Sequence, residues 1–398
     1  MSQKPKILIL NGSHSEIPLI NAAQALGFHV VTTGNSPDLI GHSFADEYYP
    51  ADYSDQRAIL TLAQNLSITA ICACANDFAA ITAAYVAEEM GLPGHDSFDT
   101  TVLLHHKDKF KEFAQLHDLP SPVSRSFSSA EEAVRSIEQF NFPAIIKPTD
   151  MTGGKGVAKV CNKSEYFIAI QQAFDYSREK RIVVEEFFSG TQHSLSSFLV
   201  NQKVVFAFSD NEFSWLNPYF VSSSAAPADN IKLHSLNLTN AVEKIAFELS
   251  LADGIFHIQY LVDAERATII DITRRCSGDM YPGPVSYSTG IDWGEWIVKA
   301  EAGLSCKDFP TVKQSGFCGR HCVMSDRNGT ICNVHISDEI KPYLFDSIFW
   351  WKTGDVIDNY LLQKVGVVFL KYDSRSEMLE ITKRLPELIS IEIAQESR

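Results

Sequence analysis

The chain has 398 residues, 45% of them hydrophobic and 21% charged, with a formal net charge of −15. At roughly 100–200 residues per domain, that length suggests two to four units rather than one small core, and the composition is that of an ordinary globular protein. The acidity excludes a general nucleic-acid binder, which needs clustered Lys and Arg, and no run approaches the roughly 20 apolar residues of a membrane span.

The start, MSQKPKILILNGS, has a five-residue apolar run and no small-residue cleavage site, so KILIL (6–10) reads as a first strand, not a signal peptide. Ile17, Leu19, Ile20, Ala23 and Leu26 then recur at helical spacing up to Gly27. HVVTT (29–33) is a second strand, 46–50 an edge strand and 55–66 a helix; 69–73 is another strand and 78–90 another helix. Strands alternating with helices imply a right-handed parallel α/β sheet. The loop NGSHSEI has one glycine in place of G-x-G-x-x-G, and no clean acidic residue ends the second strand, which argues against a dinucleotide site. The eight cysteines are scattered without a CxxC pair, so buried reduced thiols and a cytoplasmic setting are expected.

From His105 a lysine-rich helix carries Phe110 and Phe113 on its apolar side, and 130–139 is a further helix. Next comes FPAIIKPTDMTGGKGVAKV (142–160), a β-branched run ending at Lys147, then Gly153, Gly154, Lys155 and Gly156, then another strand pattern. Glycines let a loop reach φ > 0 and bring backbone N–H groups to an anion, and lysines supply mobile charge. The alternative is a glycine hairpin with exposed lysines; a Walker A loop is excluded because a strand, not a helix, follows.

Residues 164–175 read as a helix with Ser164 as N-cap. The segment 181–200 is a strand ending in Glu185-Glu186-Phe187-Phe188, a turn at Gly190, then an alternating strand; 211–231 is polar and loop-like, and 239–251 is helical. In GIFHIQYLVDAERATIIDITRRCSGD (254–279) two strands meet at a turn near 264–266. A three-residue turn sets Gln259 opposite Asp271, with Thr273 and Arg275 on the same face. Ser277-Gly278-Asp279 and Pro282-Gly283-Pro284 read as a loop suited to an acceptor pocket. Residues 293–302 form a helix, 316–335 a hairpin turning at Arg327-Asn328-Gly329, and one more strand and helix close the chain.

The strand-end Lys147, the glycine lid, the Glu185-Glu186 segment and the Asp271–Arg275 strand, in this order after an α/β unit, resemble the ATP-grasp superfamily over roughly residues 5–375. The resemblance implies a mixed α/β and α+β chain with the ATP-grasp fold, an N-terminal Rossmann-like pre-grasp domain (1–95), a grasp module (96–303, lid about 123–190) and a C-terminal β-rich subdomain (304–398). It implies ATP and Mg²⁺ as cofactors. Lys109, with Lys107 as near rival, Lys147 and Gly153–Gly156 would hold phosphate. Backbone groups near Glu185, Glu186 and Phe188 would read adenine, and Gln192 the ribose. Gln259, Asp271 and Thr273 would hold metal, although relatives usually carry Glu at the first two positions and Asn at the third. Arg274, Arg275, Ser277 and Gly278 would meet substrate, with Arg275 and Lys147 catalytic and Arg320 able to reach the site.

The implied reaction is ATP-dependent joining of a carboxylate to an amine through an acylphosphate. A nucleotide binder with impaired catalysis and a biotin-carboxylase-like carboxylation are the alternatives. Small-molecule acid and amine substrates and a homodimer are expected; nucleic acid and membrane are not.

Overall fold

The computed structural model describes residues 4–229, 231–264 and 266–394. Lys6–Leu10 (β1), His29–Gly34 (β2), Glu47–Pro50 (β3) and Ala70–Ala73 (β4) form a parallel sheet in the order β3-β2-β1-β4. Ile7 and Ile9 pack toward Leu19 and Ile20 of Ile17–Ala25 (α1). Leu8 and Leu10 pack toward Ile59 of Gln56–Leu66 (α2) and Ala79 of Asp77–Met90 (α3). Burial on both faces is why KILIL shows no alternation.

Phe98–His105 (α4) and Lys107–Leu116 (α5) are separated by His106 in extended conformation. A second sheet, ordered β5-β8-β6-β7, is antiparallel: Ser124–Phe127 (β5), Ala144–Pro148 (β6), Ala158–Val160 (β7) and Ile182–Glu186 (β8). Ala130–Arg135 (α6) and Lys163–Tyr176 (α7) back it. The α7 cap is Asn162 rather than Ser164: the Asn162 side chain accepts the Glu165 N–H, and the helix starts one residue before Ser164.

The centre is an eight-stranded antiparallel sheet ordered β13-β12-β9-β10-β11-β14-β18-β16. Its strands are Thr191–Val200 (β9), Lys203–Phe213 (β10), Ser223–Ala226 (β11), Gly254–Val262 (β12), Ala267–Thr273 (β13), Phe317–Val323 (β14), Leu344–Phe349 (β16) and Gly366–Tyr372 (β18). One face buries Leu195, Phe256 and Ile258 with Val242 and Ile245 of Ile231–Glu248 (α8). The other buries Phe198 and Phe206 with Trp293 and Trp296 of Trp293–Glu301 (α10). Gly329–Ile336 (β15), Val356–Ile357 (β17) and Ile389–Ile393 (β19) make a third antiparallel sheet, and Arg375–Leu388 (α11) packs against the same core.

Three expectations change. The segment 211–231 is not all loop, because β10 continues to Phe213 and β11 lies inside it. Pro282 opens a helix, Pro282–Thr289 (α9), its missing N–H costing nothing in a first turn. Residues 316–335 are not a hairpin: β14, buried almost throughout, sits between β11 and β18, whereas the half-exposed β15 leaves for the third sheet. None of the described helices is long and apolar enough to cross a membrane.

Candidate functional site

A cleft of about 490 Å³ opens where β6, the 151–157 loop, the β12–β13 hairpin, the ends of the first sheet and the 362–364 segment converge. A parallel bridge between Cys74 and Cys276 joins the edge of the first sheet to the chain leaving β13 and fixes one wall. Six lining side chains are basic and four acidic, so this acidic protein presents a locally positive pocket.

The phosphate-binding expectation divides. Lys147 lies 3.2 Å from Glu185 and donates to the Ile270 carbonyl at 3.5 Å. Ile270 is the extra residue where the β12–β13 register shifts, which frees its carbonyl from the ladder. Glu185 is buried beside a second lysine, Lys111, at 3.6 Å. Burial pushes the Lys111 ammonium down to about 8, with Glu185 opposing. Burial also works against ionised Glu185, but Lys111 and Lys147 hold its carboxyl below the usual value. Glu185 therefore fixes two cations instead of facing a base. The Glu186 N–H donates to the Val123 carbonyl, so it is already committed. Phe188 is buried, with Arg266 over its ring, and neither it nor Glu186 lines the cleft.

On α5, Lys107 lines the cleft and Lys109 is exposed away from it. Lys107 donates to the Met151 carbonyl at 2.9 Å and lies 3.6 Å from Asp271. The rival lysine thus takes the expected position, since residues two apart on a helix point to nearly opposite sides. Gly153, Gly154 and Gly156 all have φ near +70° (66, 70 and 71°), and Lys155 faces the cleft from among them. A Cβ on Gly154 would lie 2.3 Å from the Tyr219 carbonyl oxygen, so only glycine lets this loop seat against 218–221. Tyr219 also accepts the Lys159 N–H through its hydroxyl at 2.7 Å.

The hairpin pairs Gln259 with Asp271, as its spacing predicts, and Thr273 lines the same cleft. Beside them stands a residue the sequence reading missed. Glu212, at the end of β10, accepts the side-chain amides of Gln192 and Gln259, each at 2.8 Å. Burial, reinforced by the charge of Asp210, pushes its carboxyl up to about 7 against those two amides. Its signal was a period-2 run, Phe206, Phe208, Asp210 and Glu212, which extends β10 into what looked like loop.

Magnesium takes hard oxygen donors. Among the described residues no group of three or more His, Cys, Asp and Glu could hold a metal unaided. The half-exposed Asp271 carboxylate, with the Gln259 amide and Thr273 hydroxyl lining the same space, fits a cation whose remaining ligands come from outside the chain.

Beyond the hairpin, Arg275 reaches the cleft and pairs with Asp77 at 2.9 Å. Burial opposes the Asp77 charge, but Arg275 and His105 hold that carboxyl far below its usual range. Arg274 points the other way. It is buried against Asp96 at 2.8 Å and donates to the Ala252 carbonyl, so it is a structural residue and not part of the cleft. Ser277 and Gly278 do line the cleft, and the buried Ser277 hydroxyl has no hydrogen-bond partner among the described residues. Asp279 binds Lys364 at 2.5 Å and His14 at 3.4 Å, with Arg320 at 3.9 Å. Asp279 and Met280 both hold left-handed φ (58 and 55°), a strained arrangement that aims this turn into the cleft. His14 stacks on Trp350 with ring centroids 3.9 Å apart.

An α/β unit, a small antiparallel sheet and a broad antiparallel sheet close on one basic cleft. Residues 105–215 match the family "Phosphoribosylglycinamide synthetase, ATP-grasp (A) domain". The fold is similar to that of L-amino acid ligase from Bacillus licheniformis, with TM-score 0.83, 18% identity, and coverage of 99% of this chain and 100% of that one. Phosphoribosylglycinamide synthetase from Anaerococcus prevotii gives TM-score 0.77 and 17% identity over 98% of this chain and 100% of that one. The biotin carboxylase domain of 2-oxoglutarate carboxylase from Hydrogenobacter thermophilus, solved with MgADP and bicarbonate, gives 0.77 and 17% over 98% and 91%. The whole chain thus shares its fold with these proteins, and its residues 105–215 match the ATP-grasp domain family.

Proposed function

We propose that this protein is an ATP-dependent carboxylate–amine ligase whose grasp module (96–303) works with the 1–95 and 304–398 units around the shared cleft. The observation that carries this reading is that one cleft joins the Lys107–Lys147–lid surface to the Arg275–Ser277–Arg320 surface across the Asp271 hairpin. A substrate carboxylate oxygen attacks the γ-phosphorus of ATP, the bond to the β-phosphate oxygen breaks, and ADP leaves. The amine nitrogen then attacks the acyl carbon, phosphate departs, and the nitrogen loses a proton to give the amide.

Lys107, Lys147 and Lys155 neutralise the phosphate chain. The 152–157 lid keeps water from the acylphosphate. Arg275 holds the acyl group or its carboxylate precursor. Magnesium, held by Asp271 with Gln259 and Thr273, would spread the phosphate charge. The test is ADP release over panels of amino-acid and sugar-acid pairs, with the product identified by mass spectrometry. Lys147→Ala and Asp271→Ala should each lower ADP release about 100-fold or more. Unchanged ADP release in both variants counts against the ligase.

A second reading, a nucleotide binder without catalysis, draws on the neutral side chains at 259 and 273. Stabilisation by ATP without magnesium dependence, and no ADP from any pair, would favour it.

A further inference from the structure

Four acidic side chains line the cleft, and three have a basic partner: Asp77 with Arg275 at 2.9 Å, Asp271 with Lys107 at 3.6 Å and Asp279 with Lys364 at 2.5 Å. Glu212 has none among the described residues. Its Oε2 accepts from two neutral amides, Gln192 and Gln259, at 2.8 Å each. Behind it on the same face of β10, Asp210 is fully buried; its Oδ1 accepts from the Ser194 hydroxyl, and its Oδ2 has no hydrogen-bond partner among the described residues. These successive same-face carboxylates have hydroxyl and amide donors and the longer-range charge of Arg320, but no ion pair among the described residues, at one point of an otherwise paired pocket. Removing such charge from water is costly unless a cation answers it.

The neighbours are matched to this carboxylate. A Glu at 192 or 259 would put a second negative oxygen about 3 Å from Glu212, where two carboxylates cannot both stay ionised. Amides at both positions instead donate to it and fix its rotamer. Gln259 stands between the two carboxylates, paired in register with Asp271 and hydrogen-bonded to Glu212.

We propose that Glu212 supplies the second protein carboxylate for the divalent cation of the nucleotide site, carried on β10 instead of on the β12 strand that presents Gln259. The charge missing from position 259 is thereby recovered two strands away. Gln192 and Gln259 act as positioning residues for Glu212, and Asp210 strengthens the local field. This rests on the nucleotide site of the proposed function.

Binding of Mn²⁺ followed by its EPR signal, with and without a non-hydrolysable ATP analogue, tests the assignment in the full chain. With the analogue present, Glu212→Gln should weaken Mn²⁺ binding about tenfold or more. Affinity for the analogue without metal should not fall, because the substitution removes a negative charge from the phosphate pocket. The double variant Glu212→Gln/Gln259→Glu, which moves the charge back to β12, should recover most of the loss. It also shows that the single variant's defect is not misfolding. Equal Mn²⁺ binding by wild type and Glu212→Gln overturns the assignment and leaves the nucleotide site standing. So does a loss that the double variant fails to recover. A wild-type chain that does not bind the analogue at all overturns both.

Discussion

Lys107 and Lys109 carry the same charge two residues apart, and their different surroundings set different expectations. Lys107 is buried at the cleft against Asp271 and the Met151 carbonyl, while Lys109 faces solvent. Burial opposes the Lys107 charge, but Asp271 and Asp77 together hold its ammonium above the usual value, so it is a fixed cation at any working pH. Lys107→Ala is expected to raise the KM for ATP about tenfold or more, the scale of one lost charge-assisted contact. Lys109→Ala should leave it within about twofold. Steady-state kinetics on the two variants decides it, and a larger defect in Lys109→Ala would return the role to the D-K pattern. The choice was legible in principle. Lys107, Phe110, Lys111 and Ala114 follow the i, i+3, i+4, i+7 spacing of one helix face, and all are buried. Arg274 and Arg275 were not separable in this way. Which of two adjacent arginines finds Asp96 and which finds Asp77 depends on partners about 180 and 200 residues away, respectively.

At the scale of elements, strands flanked by helices were readable because each buries its own apolar pattern. The Gln259–Asp271 pair, by contrast, was reached from an assumed three-residue turn, and it is met only because a bulge at Ile270 offsets a connection one residue longer, between Val262 and Ala267. What failed were partnerships between elements. β14 and β15 look like a hairpin because a glycine turn joins two strands, but only the sheet order shows that they belong to different sheets. The glycine lid has a partner of the same kind, the 218–221 segment, which no local pattern announced. Gly154→Ala places a methyl 2.3 Å from the Tyr219 carbonyl oxygen at a φ of +70°. The lid should then seat poorly. The thermal midpoint should hardly move, because the loop is at the surface, but under the proposed ligase reaction more ATP should be hydrolysed per amide formed as water reaches the acylphosphate. The ratio of ADP to amide product measures this. An unchanged ratio would detach the lid from water exclusion.

Distant segments of the chain are tied together by buried charged groups whose partners lie far apart in sequence. Arg274 and Asp96 are one such tie, 2.8 Å apart with 7% and 5% of their side chains exposed. Asp96→Ala strands the guanidinium and should cost about 3 kcal/mol or more in urea unfolding. Glu301 is another. From α10 its Oε2 accepts the Ala73 N–H of β4 at 2.9 Å, which joins the first sheet to the helix behind the central one. Burial pushes this carboxyl up to about 7 from an ordinary value of 4.5. Between those two values the folded chain keeps a proton that the unfolded chain has released. Stability therefore falls as pH rises through that window, by about 1.4 kcal/mol per unit, is unaffected below it, and loses no more above it. His321 acts in the opposite sense, since burial and Arg320 hold its imidazole at about 3, so its contribution is lost as pH falls below the ordinary histidine value. The wild-type pH profile sums both effects, and only a variant separates them. Glu301→Gln keeps an oxygen for the Ala73 N–H and cannot ionise. It should match wild type near pH 4.5 and exceed it by up to about 3 kcal/mol at pH 8. Urea unfolding of both chains at the two pH values checks this. A difference that does not grow with pH would mean that Glu301 is ionised in the folded protein, with a cation reaching it.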